Sequence, residues 1–334
     1  MTIKDVAKLA GVSPSTVSRV INKGDSKSAS PDTQRKIWDA VNKLGYTPNL
    51  HARSLKTEQP TTSAATKEIA CVYGRTADSF INPFFSELMS AVEKAAYARG
   101  YFLRFSSSAI PAEHNERSNS ANAVIILGRT DSNTLNNLQN SYRHVLYTGL
   151  QDLPMEIDQV ISSGYQAART AVQYLLGLGH RKICYIGEKA HEQRFLAYKE
   201  TMSEAGLTIT DQDISSTDLS PGQGYEAVNQ LFEKNQNFTA IFCSNDILAV
   251  GALKALKDHH LKIPDDVSLI SIDDIETAGY LSPMLTTIRI PIQEMGAMAV
   301  KLLIDRIEGG HHIPIKVNLP NRIVYRDSCG QSKK

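Results

Sequence analysis

The chain has few cysteines and lacks any apolar run long enough to cross a membrane. Its 334 residues include four cysteines, far apart in the sequence, and three of them lie within apolar runs. This pattern indicates buried, reduced thiols rather than disulfides or metal ligands. No stretch approaches the roughly 18 uninterrupted apolar residues of a membrane helix, and Met1 leads directly into a charged amphipathic segment. We therefore expect a cytoplasmic protein with no membrane partner.

The chain also lacks the short motifs of common enzyme classes. It contains no Gly-x-Ser-x-Gly, no His-Glu-x-x-His and no Gly-x-x-x-x-Gly-Lys. Gly177-Leu178-Gly179 precedes a predicted strand, which is the wrong position for a dinucleotide fingerprint. The pairs His259-His260 and His311-His312 lack the helical spacing of metal ligands and are interpreted as solvated loops. We expect no catalytic residue, no metal site and no cofactor.

The charge of the chain is balanced overall but unevenly distributed. Lys and Arg number 36 against 35 Asp and Glu, a net charge of +1 that on its face argues against nucleic-acid binding. Residues 1–58 hold ten basic and five acidic side chains, a net of +5, and the remainder holds 26 against 30, a net of −4. A small basic head therefore precedes a larger, mildly acidic body.

A linker separates the head from a body in which strands and helices alternate. Residues 59–66 carry no large apolar side chain and begin near a helix-breaking proline. Alternation in the body predicts right-handed βαβ units, and roughly 270 residues are enough for two parallel sheets. Strands are predicted over 69–73, 101–105, 123–127, 182–186, 239–243 and 267–272, and helices over 84–98, 164–177, 194–205, 246–258 and 293–307.

The first 22 residues carry the most specific pattern in the chain. Ala7, Gly11 and Val17 have the spacing of a helix-turn-helix, since small side chains let two helices cross closely. Ser13 is a natural N-cap, and Pro14 fits the first position of the second helix. A third amphipathic helix beginning at Pro31 completes the core. A plain αα-hairpin with a solvated outer face is the alternative.

The outward positions of the second helix are suited to DNA. Hydroxyls and helix N-terminal amides suit phosphates, and Arg19 has the reach for a guanine edge in the major groove. These outward residues are Pro14, Ser15, Thr16, Ser18, Arg19 and Asn22.

Four segments of the head, residues 2–7, 10–13, 16–22 and 44–49, share a pattern with a known family. They resemble the lactose/galactose repressor family of bacterial transcription regulators. The resemblance implies a hinge helix in which Leu55 enters the minor groove of a palindromic operator beside its twin from a second subunit. An ordinary core contact is the alternative for Leu55. The DNA-binding residues that the resemblance and the pattern together predict are Thr2, Ser13, Pro14, Ser15, Thr16, Ser18, Arg19, Asn22, Tyr46, Asn49, Ala52 and Leu55.

Polar side chains occur where two predicted strands of the body end. Asn245 follows the strand at 239–243, and Asp273 follows the strand at 267–272. Because ligands bind beyond the carboxyl ends of parallel strands, both residues are expected to face a crevice and to suit adjacent hydroxyls. Asp246 is interpreted instead as the N-cap of the next helix.

The body resembles the sensor core of the same family over residues 179–187, 244–251, 263–274 and 285–288. The resemblance implies two lobes like those of periplasmic sugar-binding proteins, and a homodimer. Planar polar groups against an aromatic face suit a sugar. Because adjacent phenylalanines point opposite ways, at least one of the predicted pair belongs to the core. The implied effector-binding residues are Asn82, Phe84, Phe85, Arg194, Asn245 and Asp273.

Two features depart from the family pattern. Ser162-Ser163 stands where many members have Asp-Asn, which removes one expected ligand carboxylate, and the segment from Ser106 to Asn122 is short and polar where a helix is usual. In this shortened segment the chain resembles the family's repressors of galactose and β-galactosidase genes. Galactose or a β-galactoside is therefore the favoured effector.

These features predict an all-α helix-turn-helix head with a hinge helix, and an α/β periplasmic-binding-protein-like core of two lobes with parallel sheets. The predicted domains are the head 1–47, the hinge helix 48–57, the linker 58–66 and the core 67–334, with a first lobe at about 67–161 and 292–321 and a second at about 162–289 and 322–330.

We expect a sequence-specific repressor of a sugar-utilisation operon, bound to double-stranded DNA and released by a small sugar. Three alternatives stay open. The chain could be a sugar-binding or carbohydrate-active protein with an incidental head, or an architectural DNA protein. It could also be a regulator of the same family that uses a corepressor or a different effector.

Overall fold

A computed structural model of the chain describes residues 3–23, 29–44, 67–74, 82–106, 121–154, 156–234 and 237–333. Contacts divide the chain into two units, residues 1–64 and 65–334. The predicted hinge helix and linker, and most of the segment 106–122, lie outside the described residues. Among the helices that are described, none is both long and apolar enough to span a membrane.

The described residues of the first unit form three helices, α1 (Ile3–Ala10), α2 (Pro14–Lys23) and α3 (Pro31–Leu44). Gly11 adopts a φ of +66°, which only glycine adopts readily, and makes the turn between α1 and α2. Val6, Val17 and Ile37, one from each helix, are fully buried in one hydrophobic cluster. The predicted helix-turn-helix and its third helix are confirmed.

The strands described in the second unit form two six-stranded sheets. The first is parallel throughout, with the order β11-β5-β4-β3-β1-β2. Together with the helices packed on it, this sheet is called the first lobe. Its elements are β1 (Glu68–Tyr73), α4 (Pro83–Tyr97), β2 (Phe102–Ser106), β3 (Ala123–Leu127), α5 (Ser132–Ser141), β4 (His144–Gly149), β5 (Asp158–Ile161), α10 (Ile292–Ile307) and β11 (Lys316–Asn318).

The second sheet has the order β12-β10-β9-β8-β6-β7 and is antiparallel at β12, on its edge. This sheet and its helices form the second lobe. Its elements are α6 (Gly164–Gly177), β6 (Ile183–Gly187), α7 (Gln193–Glu204), β7 (Ile214–Ser216), α8 (Pro221–Lys234), β8 (Ala240–Cys243), α9 (Asp246–Asp258), β9 (Ser268–Asp273), β10 (Thr286–Arg289) and β12 (Arg322–Val324).

A glycine lets two helices of the second lobe approach closely. A Cβ placed on Gly251 of α9 would lie 1.8 Å from the carbonyl oxygen of Pro221 at the start of α8. No larger residue fits this crossing without moving a backbone. The contact fixes α9, and with it Asn245, which immediately precedes that helix.

The six strands and five helices predicted for the body are confirmed, each with ends within one residue of those observed. The predicted strands and helices did not include β4, β5, β7, β10, β11, β12, α5 or α8. The edge strands β11 and β12 have three residues each and carry exposed side chains, so they leave little apolar pattern to detect.

The four cysteines are free thiols, of which Cys71, Cys184 and Cys243 are buried, as predicted. The interpretation of His311 as a solvated residue is wrong. Its side chain is 9% exposed, with Nε2 3.0 Å from Asp158 and Nδ1 2.6 Å from Asp305. Asp158 is 153 residues away in the sequence, and Asp305 lies on the preceding helix α10. The residues next to His311 therefore did not reveal its partners.

Candidate effector site and DNA-binding head

The start of α2 presents a group of hydroxyls. Ser13 Oγ accepts a hydrogen bond from the backbone N–H of Thr16 at 3.2 Å, which confirms Ser13 as the N-cap. Its hydroxyl also lies 2.7 Å from that of Ser15 and 2.9 Å from that of Thr16. Ser13, Pro14 and Ser15 are exposed. Exposed hydroxyls at a helix N-terminus can bind phosphate oxygens.

The other predicted DNA contacts are less fully described. Ser18, Arg19 and Asn22 lie on α2, but their side chains are outside the described part of the chain. The remaining five predicted positions also lie outside it, namely Thr2, Tyr46, Asn49, Ala52 and Leu55.

All six predicted effector-binding residues line one cavity. It lies between the lobes, where the carboxyl ends of strands from both sheets meet. Its interior volume is about 70 Å³, so the cavity in this structure is small. Among the described residues, the wall also includes Gly128, Arg129, Tyr147, Leu150, Gln151, Glu192, Gln193 and Leu219.

The first lobe contributes an amide and an aromatic face. Asn82 caps α4, since its Oδ1 accepts from the N–H of Phe84 at 3.0 Å. Phe84 is buried in the core yet also borders the cavity, and its ring meets that of Phe85 at 5.2 Å and 89°. The prediction that at least one of the two phenylalanines is a core residue is confirmed. Asn82 and the rings are thereby held in place from within the lobe.

The second lobe contributes an amide with unused hydrogen-bonding capacity. Asn245 is the N-cap of α9, its Oδ1 accepting from the N–H of Leu248 at 3.0 Å. Its Nδ2 is buried and has no hydrogen-bond partner among the residues that the structure describes. A buried donor without a partner costs roughly 1–3 kcal/mol, which a ligand oxygen could recover.

The interpretation of Asp246 as the N-cap is wrong. Asp246 is the first residue of α9 and is fully buried, accepting hydrogen bonds from the hydroxyls of Ser271 and Thr287 and from the N–H of Ile275. Burial raises the pKa of its carboxyl to about 6. Both Asn and Asp suit an N-cap, and tertiary packing decided that Asn245 takes the role.

Asp273 ends β9 and is almost fully buried at the cavity wall. Its backbone adopts a φ of +126°, a conformation that is costly for a residue with a side chain. Burial and the nearby carboxylate of Asp246 raise the pKa of Asp273 well above its ordinary value, against the opposing charge of Arg194. A carboxyl group in this state can donate or accept a hydrogen bond.

A buried ion pair underlies the cavity. Glu192 caps α7, and its carboxylate accepts from Arg194 Nε and Nη2, both at 2.8 Å. Arg194 Nη1 donates to the carbonyl oxygen of Ser244 at 2.8 Å. Although burial opposes ionisation, Arg194 lowers the pKa of Glu192 to about 2. The pair therefore stays charged and holds the guanidinium against the cavity.

The sequence reasoning missed two charged residues of this wall, Arg129 and Glu192. Arg129 follows the predicted strand 123–127, so the rule that ligands lie beyond strand ends would have found it. Glu192 lies five residues beyond β6 and carried no such signal. Of the pair that departs from the family pattern, Ser163 caps α6, with its Oγ 3.2 Å from the backbone N of Gln166. The hydroxyl of Ser162 is buried and has no partner within the described part of the chain.

Two family models match the chain, one in its head and one in its body. Residues 2–49 match the model of bacterial regulatory proteins of the lacI family, and residues 172–329 match a periplasmic binding protein-like domain. The HTH-type transcriptional repressor PurR of Proteus mirabilis is 32% identical over 345 residues, covering 98% of this chain and 96% of the relative.

Two solved structures are similar over almost the whole chain. The transcriptional regulator CelR in complex with cellobiose is 26% identical, covers 98% of this chain and 99% of its own, and has a TM-score of 0.70. A lac repressor dimer bound to operator is 24% identical, covers 99% of each chain, has a TM-score of 0.73 and shows the same fold. The chain therefore belongs to the lacI family of bacterial regulatory proteins and is a DNA-binding transcriptional repressor with a periplasmic-binding-protein-like core.

Proposed function

We propose that this repressor acts as a homodimer on a sugar-utilisation operon and leaves a palindromic operator when a small sugar binds between its lobes. Galactose or a β-galactoside is the proposed effector, and the protein acts by binding alone, with no catalytic step. The observation that carries the proposal is the convergence on one cavity of the six side chains that the family pattern designates.

The chemistry of the cavity suits an uncharged polyol. Asp273 and the unpartnered amide of Asn245 can bond adjacent hydroxyls, and the rings of Phe84 and Phe85 offer an apolar face. The charge of Arg194 is matched by Glu192, which favours a neutral ligand over an anion. The complex of CelR with cellobiose, a similar structure, supports a saccharide.

The head supports binding to DNA as a dimer. One helix-turn-helix covers half a palindromic site, so two copies are needed for a full operator. The net charge of +5 on residues 1–58, against −4 on the rest, assigns the attraction for phosphate to the heads. DNA affinity is therefore expected to fall steeply with salt.

A different effector, or one that strengthens DNA binding, is the second candidate. Phe85 could stack a planar heterocycle such as a nucleobase, whose edge Asn245 and Asp273 could pair. The serine pair at 162–163 also removes a carboxylate that the sugar-binding pattern leads one to expect.

The test has two steps on the full-length protein. An operator is first selected from random double-stranded DNA, and its affinity is then titrated with galactose, lactose, cellobiose and adenine. A weaker DNA affinity with galactose or lactose supports the proposal. A tighter affinity with any of them indicates a corepressor, and a response to adenine alone favours the second candidate.

The assignment of the cavity is tested by Asp273→Ala. This variant is expected to bind the operator as the wild type does and to lose the response to sugar. Asp265→Ala serves as the matched control, because Asp265 lies on the surface of the same lobe and pairs with Lys333. Loss of DNA binding with a normal sugar response in Asp273→Ala would contradict the assignment.

A further inference from the structure

One arginine bridges the two lobes at the edge of the cavity. Arg129 follows β3 of the first lobe, and its guanidinium donates to the carboxylate of Glu188 and to the carbonyl oxygen of Ala190. Both acceptors lie between β6 and α7 of the second lobe. Arg129 Nη1 also lies 3.4 Å from Glu192 Oε2. Charge-assisted bonds of this kind are roughly twice as strong as neutral ones.

The bridge is largely shielded from water. The side chains of Arg129, Glu188 and Glu192 are 21%, 11% and 7% exposed. Removing one partner from such a shielded charged group costs more than the loss of a surface pair. By contrast, the pair of Arg169 and Glu204 is more exposed and joins two helices of the same lobe.

Arg129 also lies beside the spaces of the cleft. It lines the central cavity and two neighbouring ones, of which one is bordered by Thr130 and Asp152 and the other by Lys189 and Asp218. Arg129 therefore borders all three spaces.

Glu192 links the bridge to the effector site. Its Oε1 accepts from Arg194 Nε, and its Oε2 accepts from Arg194 Nη2 while facing Arg129. One carboxylate is thus shared between an arginine of the cavity and an arginine of the opposite lobe. A ligand that draws the guanidinium of Arg194 towards itself changes that sharing.

We propose that Arg129 is a clamp between the lobes. Its bonds to Glu188 and Ala190 hold the lobes together over the central cavity, and their release opens the cavity and lets the lobes separate. The clamp goes beyond the proposed function, because it acts on the opening of the core whichever effector binds. It can be tested with no effector present.

The test compares full-length Arg129→Ala with the wild type and with Arg169→Ala, which breaks an arginine–glutamate pair inside one lobe. Hydrogen exchange is followed in segments 128–131 and 188–193, and the radius of gyration is measured by small-angle X-ray scattering. Arg129→Ala is expected to speed exchange in both segments about tenfold and to increase the radius of gyration. Arg169→Ala is expected to change neither quantity.

Two further variants keep the clamp testable if Arg129→Ala loses structure locally. Glu188→Gln keeps the shape of the acceptor and removes its charge, so a smaller increase in the same two segments is expected. Arg129→Lys keeps the positive charge, so its exchange in both segments should lie between that of the wild type and that of Arg129→Ala. Unchanged exchange at 188–193 in all variants, or an increase confined to 128–131, overturns the clamp. Failure of galactose or lactose to bind has no bearing on this result.

Discussion

Replacing Asn245 by serine separates two roles of one side chain. The Oδ1 of Asn245 caps α9 by accepting from the N–H of Leu248 at 3.0 Å, while its Nδ2 is buried at the cavity with no partner in the described ranges. Serine caps a helix about as well as asparagine, so the first role is kept. Serine has no amide group, so the buried donor is removed.

The two effects are expected to have opposite signs. Relief of the unpaired donor, worth roughly 1–3 kcal/mol, should raise the free energy of unfolding of the ligand-free protein by about 1 kcal/mol once a smaller loss of packing is subtracted. For a unit of this size that is an increase in Tm of about 2 °C. Affinity for a sugar that bonds this amide should fall about tenfold, since one hydrogen bond is lost.

Urea unfolding and thermal melting of the full-length protein measure the first effect, and titration with galactose and lactose measures the second. Asn245→Ala is the matched comparison, because it removes the donor and also the cap, which contributes about 1 kcal/mol. It should therefore be less stable than Asn245→Ser. If Asn245→Ser is destabilised by 1 kcal/mol or more relative to the wild type, the reasoning about the unpaired amide is refuted.

Three further predictions concern stability, pH and DNA. Gly251→Ala should lower the free energy of unfolding in urea by about 2 kcal/mol, because the new Cβ meets the carbonyl of Pro221. Gly222→Ala adds its Cβ in open space and should be neutral or slightly stabilising. Equal effects of the two substitutions would contradict the close crossing. Burial lowers the pKa of His311, but its bonds to two carboxylates outweigh this and raise that pKa above 6.5. Its stabilising contribution is then present below pH 6.5 and lost as the pH rises through the folded-state value, so the Tm of the wild type should fall across that window more than that of His311→Ala; parallel curves would argue against it. Leu55→Ala should weaken operator binding and leave sugar binding intact, and an unchanged operator affinity in a gel-shift titration would rule out the hinge assignment.

Local rules predicted some site residues and misassigned others. Asn245 and Asp273 could be placed from the rule that ligands lie beyond strand ends, because that rule needs only the strand and the residue after it. Asp246 could not be assigned in the same way. It stands next to an equally good capping residue, and its three hydrogen-bond donors come from other elements of the fold.

The charged contacts of the cleft were beyond local rules. Arg129 is 59 residues from Glu188 and 63 from Glu192, and nothing in the intervening sequence signals that these groups meet. His311 shows the same limit, since its partner Asp158 is 153 residues away.

The sequence by itself determined the helix-turn-helix head, the alternation of strands and helices, and the separation of a basic head from an acidic body. These features depend on periodicity, capping and charge within a few residues of each other, so they are present before the chain folds. Only the tertiary structure decided that six scattered side chains line one cavity, that Asn245 rather than Asp246 caps α9, and that Arg129 crosses between the lobes. Those outcomes depend on burial and on partners that lie far apart in the chain, which packing alone brings together.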